Sequence, residues 1–159
     1  MQFFNTLTRR KEEFAPLHPP KVGLYTCGPT VYDHVHIGNL RAFIFDDLLR
    51  RYLEYKGYAV THVMNITDVE DRIIKKVHES GKSLKEVTGI YTVAFFRDLD
   101  ALNIKRAHIV PRATETIPGM IALIEKLIAG NHAYIGDDKC VYYSIKSFPE
   151  YGKLSHRTC

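Results

Sequence analysis

Tryptophan is missing from these 159 residues, and cysteine occurs only three times. An odd and small number of thiols argues against a disulfide framework and makes a reducing, cytoplasmic setting the expectation. Long apolar runs are lacking too. The longest are short, such as Met120–Ile124, far below the roughly 20 residues of a membrane-spanning helix. The opening, Met1-Gln-Phe-Phe-Asn-Thr-Leu-Thr-Arg-Arg10, has neither the apolar stretch nor the small-residue cleavage site of a signal peptide. Neither sign of charge dominates. Twenty-two Lys and Arg against 18 Asp and Glu leave +4, which suits a polyanionic partner without requiring one. There is no repeat and no low-complexity segment. With 45% hydrophobic and 25% charged residues the chain has an ordinary globular mixture, so a disordered tail is excluded.

What is present reads as α/β. Pro16-Leu-His-Pro-Pro20 cannot be helix interior. Val22–Tyr25 is a short buried strand, broken by the turn signal Cys27-Gly-Pro-Thr30. A helix is expected from about Gly38 to Lys56. Phe45, Leu48, Leu49, Tyr52 and Leu53 form its apolar stripe, with Arg41, Asp47, Arg50, Arg51 and Glu54 largely off it. Gly57 suits its end. Tyr58–Ile66 is β-rich, and strand, helix, strand makes a βαβ unit with parallel strands and a right-handed crossover. Thr67-Asp-Val-Glu70 and Ser83-Leu-Lys-Glu86 are capping boxes opening helices to about Glu79 and Leu102. The second helix carries Leu84, Val87, Tyr91, Ala94, Phe95 and Leu99 at helical spacing. Pro111 is expected to interrupt an extended stretch, a helix follows from about Thr114 to Ala129, and Ala133–Ile135 with Cys140–Ile145 forms a hairpin. Two strands open a parallel sheet, and few follow.

The chemistry concentrates between the first strand and the long helix. In open α/β sheets ligands bind beyond the carboxyl ends of the strands, at a helix N-terminus that offers unpaired N–H groups and partial positive charge to phosphate. His36 stands there as a donor, and Gly38 leaves room for close approach. Asp68, Glu70 and Asp71 read as helix-capping charge, not a metal cluster. Lys75 and Lys76 read as a solvated helix face. His34 is as well explained by local turn structure as by a pocket. Cys140 reads as a small buried residue of the hairpin, and Cys159 as terminal.

The segments Phe4-Asn-Thr-Leu-Thr8, Tyr25-Thr-Cys-Gly-Pro-Thr-Val-Tyr-Asp33, His36-Ile-Gly-Asn39 and Asn65-Ile-Thr-Asp68 recur in order with three more. These are Asp98-Leu-Asp-Ala-Leu-Asn-Ile104, Pro111-Arg-Ala-Thr114 and Tyr151-Gly-Lys-Leu-Ser155. Together they resemble the class I aminoacyl-tRNA synthetases, and more narrowly the cysteinyl-tRNA synthetase family. The resemblance implies the first half of a Rossmann-type catalytic domain. Residues 20–68 would be the first βαβ nucleotide-binding unit, and 69–159 helices and the start of an inserted connective region. It implies ATP-dependent activation of cysteine to cysteinyl-adenylate and transfer to tRNA(Cys), with magnesium-bound ATP as substrate.

Position by position, the resemblance gives His36 and Asn39 catalytic roles and places His36, Gly38 and Asn39 on ATP. It places Cys27, Gly28, Thr30 and Thr67 on cysteine and the adenylate, and makes Cys27 the first of four zinc ligands. Zinc belongs to the complete family member, because the other three ligands have no counterpart here. Zinc's preference for soft thiolate over hydroxyl would supply the discrimination against serine that shape alone cannot. Asn39 replaces the histidine of the general signature. An amide can donate but cannot become a cation. The second signature, Lys-Met-Ser-Lys-Ser, has no counterpart, since Lys153-Leu-Ser-His-Arg157 belongs to the Tyr-Gly-x-Leu-Ser segment. The remainder of the catalytic domain and the tRNA-binding domain are therefore expected elsewhere, and the 159-residue chain alone is expected to be inactive. Two other readings remain at this point. One is a fragment of the related cysteine ligase of mycothiol synthesis. The other is a non-catalytic half-domain that binds nucleotide or a partner subunit.

Overall fold

A computed structural model describes residues 1–157. The chain divides into two compact units, residues 16–116 and residues 1–15 together with 117–159. Cys159 lies outside the described residues.

The unit spanning 16–116 is built on strand β3 (Lys21–Thr26), helix α1 (Ile37–Tyr55) and strand β4 (Ala59–Met64), preceded in the chain by β1 (Gln2–Asn5) and β2 (Arg10–Glu13). Strands β3 and β4 pair in parallel, Lys21 opposite Ala59 through Thr26 opposite Met64, so the expected βαβ unit is present. Gly57, at φ 88°, takes the left-handed turn that lets the chain leave α1 and enter β4. A third extended segment lies on the other side of β4, through parallel bridges Val63 to Ile109 and Ile66 to Arg112. Pro111 does not interrupt it, because the residue serves as an acceptor: the Ile66 N–H donates to its carbonyl at 2.8 Å.

Helices α2 (Asp71–Ser80) and α3 (Leu84–Ala101) follow. Ser83 and Glu86 form the expected capping box at the start of α3. The other expected box does not form. Glu70, not Thr67, caps α2 by accepting from the Arg72 N–H. Thr67 is held by backbone pairing with Thr30 instead, and Asp68 turns inward. Asp68 is buried and accepts from the N–H and hydroxyl of Thr114, at 2.9 and 2.7 Å. It thus satisfies a donor at the start of α4 (Ala113–Ala129).

The core of this unit joins Val31, Phe43, Met64, Ile66, Phe95, Leu99 and Ile104. Helix α1 contributes less to it than its stripe predicts. Of that stripe only Leu53 is fully buried. Phe45, Leu48 and Tyr52 are 64%, 62% and 45% exposed, whereas Asp47 and Arg50 are buried. The reason is polar. The loop after α3 has backbone groups with no ladder to join. Asp47 accepts from the Lys105 N–H at 3.0 Å, and Arg50 donates to the Arg106 carbonyl at 2.8 Å.

In the other unit β1 and β2 form an antiparallel pair that the sequence did not announce, since both strands are mostly exposed and β2 is all charged. Strands β5 (Ala133–Ile135) and β6 (Val141–Tyr143) form the expected hairpin. Cys140 is exposed in its turn, correcting the expectation of a buried residue. Its N–H donates to the Asp138 carboxylate, so its role is in the turn, not in packing.

Candidate functional site

A cleft of about 400 Å³ opens at the carboxyl end of β3, at the N-terminus of α1. Cys27, Gly28, Thr30, His36 and Asn39 all line it, together with Arg72 from α2. A larger open recess of about 1190 Å³, bordered by Phe148, Tyr151 and Lys153, lies in the other unit and holds none of these residues.

The turn after β3 is fastened by Asn65, just beyond β4. Its side-chain oxygen accepts from the Gly28 N–H at 3.1 Å and from the Tyr25 hydroxyl at 2.8 Å. Its amide donates to the Thr67 hydroxyl at 3.1 Å. Gly28 has to be glycine here: a Cβ would sit 1.6 Å from the Asn65 carbonyl oxygen. Thr67 donates its N–H to the Pro29 carbonyl at 3.0 Å and accepts from the Val31 N–H at 3.1 Å. It is therefore a brace behind the turn and does not line the cleft.

At the far end of the loop His36 is the N-cap of α1. Its Nδ1 accepts from the Gly38 N–H at 3.1 Å, and Asn39 Oδ1 accepts from the His36 N–H at 3.2 Å. With Nδ1 an acceptor, a neutral ring carries its proton on Nε2. With Oδ1 engaged, the Asn39 amide keeps its two N–H donors. Gly38 does not line the cleft. A Cβ there would press on the His36 ring, 2.9 Å from Cε1, so the glycine keeps the capping imidazole in place.

The Cys27 thiol is exposed and reaches only the Gly28 carbonyl, at 3.8 Å. Among the described residues no group of three or more His, Cys, Asp or Glu could hold a metal ion. Zinc takes three or four protein ligands. Cys27 alone does not fit that requirement, and the described residues do not by themselves make a zinc site.

The loop between these ends is held by residues the sequence did not single out as functional. Lys76 does not join Lys75 on a solvated face. Lys75 is exposed beside Glu79, but Lys76 is half-buried and donates to the Tyr32 carbonyl at 2.7 Å and the Tyr91 hydroxyl at 2.6 Å. The Tyr91 hydroxyl holds the Lys76 ammonium above its ordinary range, against the opposing effect of burial. Tyr91 meets the His34 ring edge to face at 5.3 Å. Arg72 donates to the Tyr32 hydroxyl at 3.2 Å. The available signal was helical spacing: residues 72 and 76 share one face of α2.

A parallel βαβ unit whose ligand-facing turn ends in His36-Ile-Gly at a helix N-terminus has the layout of a class I aminoacyl-tRNA synthetase. The family model for the tRNA synthetases class I (C) catalytic domain matches residues 13–159, and the chain belongs to that family. Among its relatives, the cysteine–tRNA ligase of Chlamydia pneumoniae is 56% identical over 156 residues, covering 98% of this chain and 33% of the relative. That of Yersinia enterocolitica is 49% identical over 157 residues, covering 99% and 34%. That of Symbiobacterium thermophilum is 48% identical over 157 residues, covering 99% and 33%. The chain spans about a third of the length of these curated relatives.

Proposed function

We propose that this chain is the amino-terminal portion of a cysteine–tRNA ligase, and that its cleft is the nucleotide- and cysteine-facing half of the active site. In the complete enzyme the carboxylate of L-cysteine attacks the α-phosphorus of magnesium-bound ATP. Cysteinyl-adenylate forms, pyrophosphate leaves, and the cysteinyl group passes to tRNA(Cys). The supporting observation is the donor set at the N-terminus of α1. The His36 ring and the Asn39 amide, both fixed by the cap, border the same cleft as Cys27, Gly28 and Thr30.

Each residue then has a task. His36 and Asn39 donate hydrogen bonds to phosphate oxygens, the positioning and charge stabilisation that phosphoryl chemistry needs. Gly38 serves from outside the cleft lining, by leaving room for the capping His36 imidazole. Cys27, Gly28 and Thr30 face the amino acid and adenylate, with Thr67 bracing them. Cys27 would be one zinc ligand, to be joined by others from the remaining two thirds of such an enzyme. No helix of the described residues is long and apolar enough to cross a membrane. The free thiols of Cys27 and Cys140 suit the reducing cytoplasm.

Cysteine-dependent ATP–pyrophosphate exchange tests the proposal. The 159-residue chain alone is expected to show none above background. Joined to the carboxyl-terminal two thirds of the Chlamydia pneumoniae relative, it is expected to support exchange, and His36→Ala in that fusion to lower it about 100-fold or more. Exchange by the isolated chain would overturn its expected inactivity. A folded, tRNA-binding fusion without exchange would overturn the assignment of the cleft.

A further inference from the structure

The loop that walls the cleft is tied down differently along its length. At its first end Val31 is held by backbone pairing to Thr67, at 3.1 Å. At its last end the His36 N–H is held by Asn39. Between them, Tyr32 to Val35 joins no helix or strand ladder. What grips the backbone of this stretch from outside the loop is the Lys76 ammonium, on the Tyr32 carbonyl at 2.7 Å. The same ammonium is fixed from behind by the Tyr91 hydroxyl of α3 at 2.6 Å. Tyr91 in turn packs against His34, and Arg72 reaches the Tyr32 hydroxyl. An ordered loop needs such a tie, because each free residue would otherwise regain backbone entropy.

We infer that Lys76 is a positioning residue of the cleft: from α2 it locks Tyr32–Val35 and so holds His36 and the Cys27 turn apart at the width a ligand requires. This rests on the reading of the cleft as an adenylate site. Lys76 itself touches no ligand and acts through Tyr32. A charged donor on a carbonyl is among the stronger single hydrogen bonds. Lysine also has the reach to bridge two groups, Tyr32 and Tyr91, that lie on different elements.

Amide hydrogen exchange on the 159-residue chain tests the clamp without any ligand. The His34 and His36 amides are informative, since the first is hydrogen-bonded to Asp33 within the loop and the second to Asn39 where the loop joins α1. Lys76→Met is expected to speed their exchange about tenfold or more. The amides of β3 and β4, the Val31 amide and the unfolding midpoint should hardly change. Lys76→Arg should restore protection. If Lys76→Met proves too unstable to read, Tyr91→Phe removes only the hydroxyl behind the ammonium and should give a smaller, equally local acceleration.

Unchanged exchange at His34 and His36, or acceleration spread evenly over the unit, would overturn the inference. So would failure of the arginine variant to rescue. Affinity for a sulfamoyl analogue of cysteinyl-adenylate, measured on the same variants, reads the consequence: about tenfold weaker for Lys76→Met and near normal for Lys76→Arg. No binding by the unsubstituted chain would count against the reading of the cleft, while exchange would still decide the clamp.

Discussion

Asn65 and Gly28 show how closely this turn is specified. One amide side chain accepts from two donors and braces Thr67, and the glycine admits the Asn65 carbonyl where no side chain could fit. Gly28→Ala must move backbone, not a flexible side-chain end, and is expected to cost about 2–3 kcal/mol, read from the denaturant midpoint. A loss under about 0.5 kcal/mol would show that the turn relaxes freely. His62 makes a second point. It is buried, its Nε2 lies 2.9 Å from the Thr26 hydroxyl, and its Nδ1 has no partner among the described residues. Burial first, then the nearby charge of Arg50, pushes its pKa below the ordinary 6.5. The unfolded chain therefore binds the proton more readily. The stability that neutral His62 contributes is complete above about pH 6.5 and is lost progressively as pH falls toward the lowered folded value. Asp46, raised by burial, works in the opposite direction and at lower pH. Denaturation at pH 7.5 and 5.5 should show the loss in the parent and a flatter response in His62→Gln; equal slopes would remove His62 as the cause.

The helices were legible because periodicity and caps reveal where a helix is, but they do not reveal which way it faces. Helix α1 runs within a residue of its expected limits, yet it presents Phe45, Leu48 and Tyr52 outward and buries Asp47 and Arg50. A stripe count treats every polar residue as solvated. Here the neighbour is a loop whose carbonyls and amides need partners, and only the three-dimensional path of residues 103–108 makes that demand visible. The same blindness hid Lys76 and Asp68, polar residues whose partners come from other elements. The cleft residues Cys27, Gly28, Thr30, His36 and Asn39 lie in one continuous stretch at a strand-to-helix junction; that position pointed to His36, and the resemblance of the stretch to a known family implied the other four. The reversed face makes a contrast that can be measured. Phe43→Ala, which empties a core position against Phe95 at 5.0 Å, should cost about 3–5 kcal/mol. Leu48→Gln, equally apolar in sequence but exposed, should stay within about 0.5 kcal/mol. Comparable losses at both sites would mean that α1 faces the other way.

Outward-facing Phe45, Leu48 and Tyr52 coincide with a second unmet demand. Strand β3 pairs only with β4 among the described strands, so its other edge offers unpaired N–H and C=O groups. Exposed apolar patches and open edges both favour association, and the relatives carry about twice as much chain again outside the matched third. Covering chain of that kind is expected to remove the liability; without it, the chain should pair with copies of itself. Sedimentation of the 159-residue chain from low to high micromolar concentration is therefore expected to show a rising average mass. Phe45→Lys with Leu48→Lys should shift it toward monomer by placing like charges on the shared face, while the midpoint of unfolding at low concentration stays within about 0.5 kcal/mol of the parent. The fusion to the carboxyl-terminal two thirds of the Chlamydia pneumoniae relative should remove the association without either lysine, because the same face and edge would then be occupied from within one chain. Clean monomeric sedimentation of the unsubstituted chain, with a single cooperative melt, would mean that β3 and α1 tolerate water as they stand. The apolar face of α1 would then need no covering partner.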